Sequence, residues 1–193
     1  MAKKSFPTGW IIFGVVVLFL LAIVGWVISS YNGLITLSEN VDNQWAKVET
    51  QYQRRMDLIP NLVSTVKGYA KQEEKIFTEV TALRSQWGNA KTTEQKVGVA
   101  NQMEGALSRL MVIVENYPQL KSNENFLALQ DELAGTENRV AVERSRYNDE
   151  VRNYNVMKKR FPTVILANLF GFGDKTYFEA AEGAQNAPAV SFE

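Results

Sequence analysis

The sequence contains no cysteine and no histidine. These absences exclude disulfides, zinc sites built from cysteine and histidine, Cys–His and Ser–His catalytic pairs, and haem held by either residue. They also exclude the Glu-x-x-His pattern of di-iron helical bundles. Any enzyme built on this chain would rely on Asp, Glu, Lys, Tyr, Ser or Thr, and we expect neither a cofactor nor a metal.

The chain also has no excess of positive charge. Lys and Arg total 21, as do Asp and Glu, and removal of Lys3 and Lys4 with the N-terminal segment 1–9 leaves 19 basic against 21 acidic residues. Because proteins bind nucleic acid through a basic surface, we expect no nucleic-acid partner.

One stretch, residues 10–28, lacks charge altogether. Its 19 residues, WIIFGVVVLFLLAIVGWVI, would extend about 28 Å as a helix, which matches the core of a bilayer. Trp10 and Trp26 lie near its ends, where indole rings favour the membrane interface. No A-x-A-like cleavage site follows, so the pattern predicts a transmembrane anchor and the lipid bilayer as a partner.

The charges that flank the span predict its orientation. Lys3 and Lys4 precede it, and the first charges after it are Glu39 and Asp42. The positive-inside rule then places the N-terminus in the cytoplasm and the helical domain on the outer, periplasmic side of the inner membrane.

The remainder predicts an all-α domain over residues 31–180. From Tyr31 to Trp87 apolar residues recur at alternating steps of three and four, which is typical of a long helix in a coiled-coil-like bundle. Gly88 gives a stop signal, and Thr92 with Gln95 forms a capping box. The predicted helices cover 31–87, 93–117, 123–160 and 163–170, and the tail 181–193 is predicted to be disordered.

The segment RRMDLIPNLV, residues 54–63, interrupts the strongest periodic pattern. A proline inside a helix costs about 3 kcal/mol unless the helix kinks or restarts there. Asp57 could cap a new helix that has Pro60 in its first turn. The pattern therefore predicts a joint near 57–60 between a membrane-proximal stalk and a distal bundle.

The stalk would expose an apolar stripe with no evident partner in the same chain. The stripe suggests that stalks pack together into a homo-oligomer. Alternatively, the helix folds back at Pro60 and buries the stripe within one four-helix domain. Arg55, also on the stripe, could set the register of an oligomer or extend its guanidinium to water. The candidate interaction residues here are Val41, Trp45, Val48, Tyr52 and Arg55.

Tyr147-Asn148 recurs seven residues later as Tyr154-Asn155. On a helix this spacing places both tyrosines on one face with the asparagines beside them. The two asparagines either bind a partner protein or have a structural role at the edge of the core.

Several motifs occur together after the predicted anchor: Tyr31-Asn32, Val41, Trp45, the block RRMDLIPNLV, 66–70 (VKGYA), Asn116-Tyr117-Pro118, 146–148 (RYN), Val151 and Tyr154-Asn155. At these residues the chain resembles the LemA family, and the resemblance covers nearly all of the chain after the anchor. The resemblance implies a bacterial single-pass membrane protein with an antiparallel four-helix bundle, and it implies no known activity, cofactor or catalytic residues.

These observations favour a membrane-anchored scaffold or adaptor of the envelope that binds proteins, first of all copies of itself. A monomeric adaptor that recruits another membrane or envelope protein is the main alternative. A cofactor-free envelope hydrolase that uses carboxylates is the alternative from another class. The glycine-rich segment 169–175 (LFGFGDK), with its lysine, is a further sign of catalysis to consider. Its glycines follow a predicted helix, whereas a phosphate-binding loop precedes one, so a helix C-cap is the favoured interpretation and we predict no catalytic residue.

Overall fold

The computed structural model describes residues 8–70 and 72–178. Every regular element in these ranges is a helix: α1 (Thr8–Lys67), α2 (Glu74–Asn89), α3 (Thr93–Val114), α4 (Pro118–Lys121), α5 (Glu124–Lys159) and α6 (Thr163–Leu169). The prediction of an all-helical chain is therefore confirmed for the described residues. The predicted disordered tail, 181–193, lies outside them, as do Lys3 and Lys4.

Helix α1 contains the predicted span. Of the described helices, it is the one long and apolar enough to cross a membrane. The apolar stretch near its N-terminus is not buried by the rest of the protein. Trp10 is 71% exposed, whereas Trp26 is half-buried. The length and the exposure of this apolar stretch fit a membrane location.

The predicted joint at Asp57 and Pro60 is wrong, because α1 continues through both residues. Asp57 lies inside the helix, where it accepts a hydrogen bond from Gln53 Nε2 at 2.9 Å. Pro60 has no N–H to offer the carbonyl of Met56, four residues earlier. Arg84 of α2 donates its Nε–H to that carbonyl at 3.1 Å, so the helix loses its own bond there without leaving the acceptor unpaired.

The break in the predicted helix 31–87 lies between α1 and α2 instead. Gly68 follows the last residue of α1, and the amide of Tyr69 bonds three residues back to Val66 at 3.0 Å, which tightens the final turn. The turn between α2 and α3 is where the sequence predicts it. Thr92 and Gln95 form the predicted capping box.

The described residues form two compact units. One contains residues up to Asp42 with Glu150–Lys175, and the other contains Asn43–Asp149 with the residues from Thr176 onward. We call them the anchor unit and the body unit.

In the body unit, the C-terminal part of α1 is antiparallel to both α2 and α5. Gln53 and Met56 pair with Trp87 and Arg84 of α2. Arg54 pairs with Glu132 of α5. Every third or fourth residue of α1 is buried here, as amphipathic packing requires. The buried apolar residues of α1 in this unit are Val48, Tyr52, Met56, Ile59, Leu62 and Val66.

In the anchor unit, α6 ends in a glycine C-cap. Gly171 has φ +74°, a left-handed conformation that favours glycine. The amide of Phe172 then bonds back to the carbonyl of Ala167 at 2.9 Å, the long hydrogen bond of a Schellman motif. The structure thus gives 171–173 the helix C-cap geometry that the sequence favours.

Candidate interaction surface

Residues 172–178 follow the Gly171 cap and have no regular secondary structure. We call them the docked segment, because the two Tyr-Asn pairs of α5 bind its backbone. The two pairs are seven residues apart in the sequence, and the residues that they bind are three apart.

In the anchor unit, Asn155 pairs with Lys175. Its Nδ2 donates to the Lys175 carbonyl at 2.9 Å, and its Oδ1 accepts from the Lys175 amide at 3.0 Å. Tyr154 Oη donates to the Gly173 carbonyl at 2.9 Å. One side-chain amide therefore satisfies both backbone groups of a residue, as a neighbouring β-strand would.

Side chains of the docked segment add ion pairs in the same unit. Lys175 Nζ lies 2.8 Å from Asp42 Oδ1 on α1, and Lys158 Nζ donates to Asp174 Oδ1 at 2.9 Å. The hydrogen bond from Lys158 is the main cause that lowers the pKa of the Asp174 carboxyl. Burial raises the pKa of Tyr154, and the nearby carboxylates of Asp174 and Asp42 raise it further.

In the body unit, Asn148 repeats the arrangement with Phe178. Asn148 Nδ2 donates to the Phe178 carbonyl at 3.0 Å, and Oδ1 accepts from the Phe178 amide at 2.8 Å. Tyr147 Oη donates to the Thr176 carbonyl at 3.0 Å. Both asparagines that the sequence singles out therefore bind the chain's own backbone in this structure.

The Phe178 side chain completes an aromatic cluster in the body unit. Its ring is 3% exposed and lies parallel to Tyr52, with ring centroids 6.2 Å apart and an interplanar angle of 7°. Trp45 stacks on it at 6.4 Å, and the Arg144 guanidinium lies 3.9 Å above it, in cation–π range. Tyr52 also contacts Trp87 at 5.2 Å.

A charged pair lies at the edge of this cluster. Tyr52 Oη donates to Glu104 Oε1 at 3.0 Å, and Arg144 Nη1 donates to the same oxygen at 3.0 Å. Burial, and then the charge of Glu104, raise the pKa of Tyr52 well above its usual range. Tyr52 is thus held as a neutral hydrogen-bond donor.

Arg55 is buried, with 6% of its side chain exposed, so it does not extend its guanidinium into water as a surface arginine would. Its Nη2 lies 3.5 Å from Glu137, whose side chain is 68% exposed. Nε and Nη1 have no hydrogen-bond partner. Arg55 therefore has less than its full set of partners, and burial of unpaired donors costs stability.

The other stripe residues are also enclosed by the chain itself. Val41 and Val48 are 1% and 0% exposed, and Trp45 is half-buried against Tyr147 and Phe178. In this structure the stripe forms core contacts, although α1 does not fold back at Pro60. The stated reason for stalk packing, an unpartnered stripe, no longer holds.

The sequence alone did not predict the contacts of Phe178, Glu104 and Arg144. The repeated Tyr-Asn pairs were the available signal for a binding stripe, and they identified the correct helix face. Nothing local to them indicated that the bound chain would be residues 172–178.

Comparisons with known proteins identify the family of this chain. A sequence profile described as the LemA family matches residues 44–192. The chain is 28% identical to Magnetosome protein MamQ 2 of Paramagnetospirillum magneticum, over 84% of this chain and 70% of that protein. It is 28% identical to Magnetosome protein MamQ of Magnetospirillum gryphiswaldense, over 84% of this chain and 69% of the relative. It is 22% identical to Protein LemA of Metamycoplasma hominis, over 93% of this chain and 84% of the relative. The profile spans more than half of the sequence, and the chain belongs to the LemA family.

Proposed function

We propose that this protein is a scaffold or adaptor of the bacterial envelope, anchored in the inner membrane, that acts through protein–protein contacts. We propose that it assembles with copies of itself through the exposed span, since the stripe is buried within the chain. The observation that carries the proposal is the continuity of α1. One helix contains both the apolar span and a row of buried core residues. Such continuity suits a protein that holds partners at a membrane.

The proposed arrangement is an antiparallel four-helix bundle built from α1, α2, α3 and α5. Side-chain contacts in the body unit support it: α1 pairs with α2 through Met56 and Arg84, and with α3 through Tyr52 and Glu104. Arg144 of α5 pairs with the same Glu104. Following the flanking lysines, the N-terminus is proposed to be cytoplasmic and the bundle periplasmic.

Relatives named as magnetosome proteins and LemA support a membrane-associated role. We propose no enzymatic activity and no cofactor. The glutamate closest to the aromatic cluster, Glu104, is engaged by Tyr52 and Arg144, an arrangement that suits structure better than acid–base chemistry. The alternative, a cofactor-free hydrolase, would keep its activity on a soluble substrate after removal of the span, whereas a scaffold would lose its function.

Self-assembly is tested by light scattering on a sizing column. The mass of the full-length protein in mild detergent is compared with that of a chain that begins at Tyr31. A discrete oligomer of the full chain supports the proposal, and loss of the oligomer without the span places the interface in the membrane. A monomer in both cases would contradict self-assembly and favour the adaptor that recruits one partner.

The absence of cysteine allows a second test by cross-linking in membranes. Val48→Cys serves as a buried control, since its side chain is 0% exposed. Leu18→Cys reports on the span, where the side chain is 68% exposed. Inter-chain product at Leu18 without product at Val48 is the expected result.

A further inference from the structure

Helix α6 is apolar on two sides. Leu166 and Ala167 are buried, but Ile165 and Leu169, four residues apart on another face, are 56% and 75% exposed. Phe161, just before the helix, is 82% exposed, a larger fraction than that of Trp10 within the span. No charged residue occurs in 161–173. Apart from the exposed Asn168, α6 presents apolar side chains on both faces, and an exposed apolar face of this kind is typical of a surface that contacts a membrane or another protein.

The position of α6 in the anchor unit indicates what covers the outer face. The ring of Tyr31 contacts Phe170 edge-to-face, with centroids 5.1 Å apart, and contacts Phe172 at 5.7 Å. Tyr31 lies three residues after Ile28, the last residue of the uncharged span, which is about 4.5 Å along the helix. The C-terminal end of α6 therefore packs against α1 at the level where α1 leaves the bilayer core.

Charges around α6 also fit a lipid interface. The exposed Arg160 directly precedes the uncharged stretch. Lys159 comes before it and is 66% exposed, with its Nζ 3.7 Å from Asp174 Oδ1. Basic side chains beside an inserted apolar face bind anionic headgroups, and aromatic side chains are stable at headgroup depth. A soluble partner would need to fit between this face and the adjacent membrane.

We propose that α6 is a membrane-interface element, with the side chains of Phe161, Ile165, Leu169 and Phe170 inserted into the lipid beside the anchor. The chain then contacts the bilayer at two places far apart in sequence. The second contact fixes the rotation of α1 about its own axis, because it holds one side of the helix against the membrane surface. This inference rests on the membrane location proposed above.

The test uses the full-length protein in phosphatidylcholine vesicles. Leu169→Cys provides a single site for an environment-sensitive nitrobenzoxadiazole label, since the chain has no other cysteine. Lipids with a nitroxide near the headgroup end of the acyl chain should quench this label, and its emission should shift to the blue. Val112→Cys, from an exposed valine of α3 (63% exposed), is the matched control and should stay unquenched.

Two further labels separate the possible failures. Ile165→Cys repeats the measurement on the same face, in case Leu169→Cys does not fold as judged by circular dichroism. Leu18→Cys, in the middle of the span, reports the anchor itself and is measured with lipids that carry the nitroxide near the methyl end of the acyl chain. Quenching at Leu18 without quenching at Leu169 and Ile165 would overturn the α6 inference alone. A label on α6 whose emission is blue-shifted but unquenched would also overturn it, because protein and not lipid would then cover this face. An unquenched Leu18 label would overturn the membrane anchorage as well.

Discussion

Arg84 Nε lies 3.1 Å from the carbonyl oxygen of Met56, the acceptor that Pro60 leaves without its helical donor. We expect Arg84→Met to destabilise the protein by about 1 kcal/mol, because the carbonyl then loses its partner. In a Pro60→Ala background the helix restores its own bond, and the same substitution should cost less. Urea unfolding of the four variants in mild detergent measures this coupling.

Arg109→Met is the matched control for the double-mutant cycle of Arg84 and Pro60. Arg109 also pairs with another helix, through the exposed carboxylate of Glu79, but it supports no backbone carbonyl. Surface pairs of this kind contribute about 0–1 kcal/mol and should show no coupling to Pro60. Equal coupling for both arginines would contradict the role assigned to Arg84.

Asn148 and Asn155 are expected to hold the docked segment in place. Asn155→Ala should expose the Lys175 amide to hydrogen exchange and speed trypsin cleavage after Lys175, because the amide loses its acceptor. Asn148→Ala should do the same for the Phe178 amide. Asn125→Ala, an exposed asparagine of α5, should change neither. Unchanged protection of both amides would mean that the side-chain pairing contributes nothing.

Phe178 and Tyr177 provide a neighbouring pair with opposite environments. Phe178→Ala should cost about 3–4 kcal/mol of unfolding free energy, because a ring that is 3% exposed leaves a cavity beside Tyr52. Tyr177→Ala, at a side chain 42% exposed, should cost well under half of that. Comparable losses in urea unfolding would show that Phe178 is not part of the core.

Arg55 should be replaceable by a neutral side chain. Arg55→Met fills a similar volume and removes the two unpaired donors, so we expect a gain of about 1–2 kcal/mol. Arg54→Met, the adjacent residue with 53% of its side chain exposed, should leave stability nearly unchanged. A loss of stability at Arg55 would instead indicate that the ion pair with Glu137 stabilises the fold.

Tyr52 should make the fold sensitive to alkaline pH. Its pKa is raised on folding, so the stability that it contributes is fully present below the unfolded value of about 10 and is lost as pH rises above that value. Tyr52→Phe should lose about 1 kcal/mol at pH 7, with the hydrogen bond to Glu104, and should flatten the decline between pH 9 and pH 11. Thermal unfolding across that range measures the slope. If the slope of stability against pH is the same in Tyr52→Phe as in the unsubstituted protein, the alkaline sensitivity comes from another group.

The features that the sequence predicted correctly depend on local chemistry. Thr92 and Gln95 cap α3 because a hydroxyl and an amide three residues apart reach each other's backbone. Gly171 forms the C-terminal cap of α6 because glycine readily adopts a positive φ. Neither outcome needs a distant residue.

The errors arose where a distant residue decides the outcome. Pro60 does not break α1 because Arg84, 28 positions after Met56, supplies a donor to the Met56 carbonyl. The break near Gly68 was missed because Val66, Tyr69 and Ile76 keep the helical spacing across it. Asn148 and Asn155 were recognised as a binding stripe, but their backbone partners lie 20 to 30 residues away in a segment with no pattern of its own.

The position of Phe178 in the chain also governs the order of folding. Trp45 and Tyr52 are synthesised early, but the ring that covers them follows α6 in the sequence. These contacts span more than 120 positions, and contacts of such separation form late. A nascent chain halted before residue 178 would therefore present uncovered indole and phenol rings to chaperones and proteases. Only a chain that includes Phe178 can cover these rings, so truncated products would differ from the full-length protein in their exposed aromatic surface.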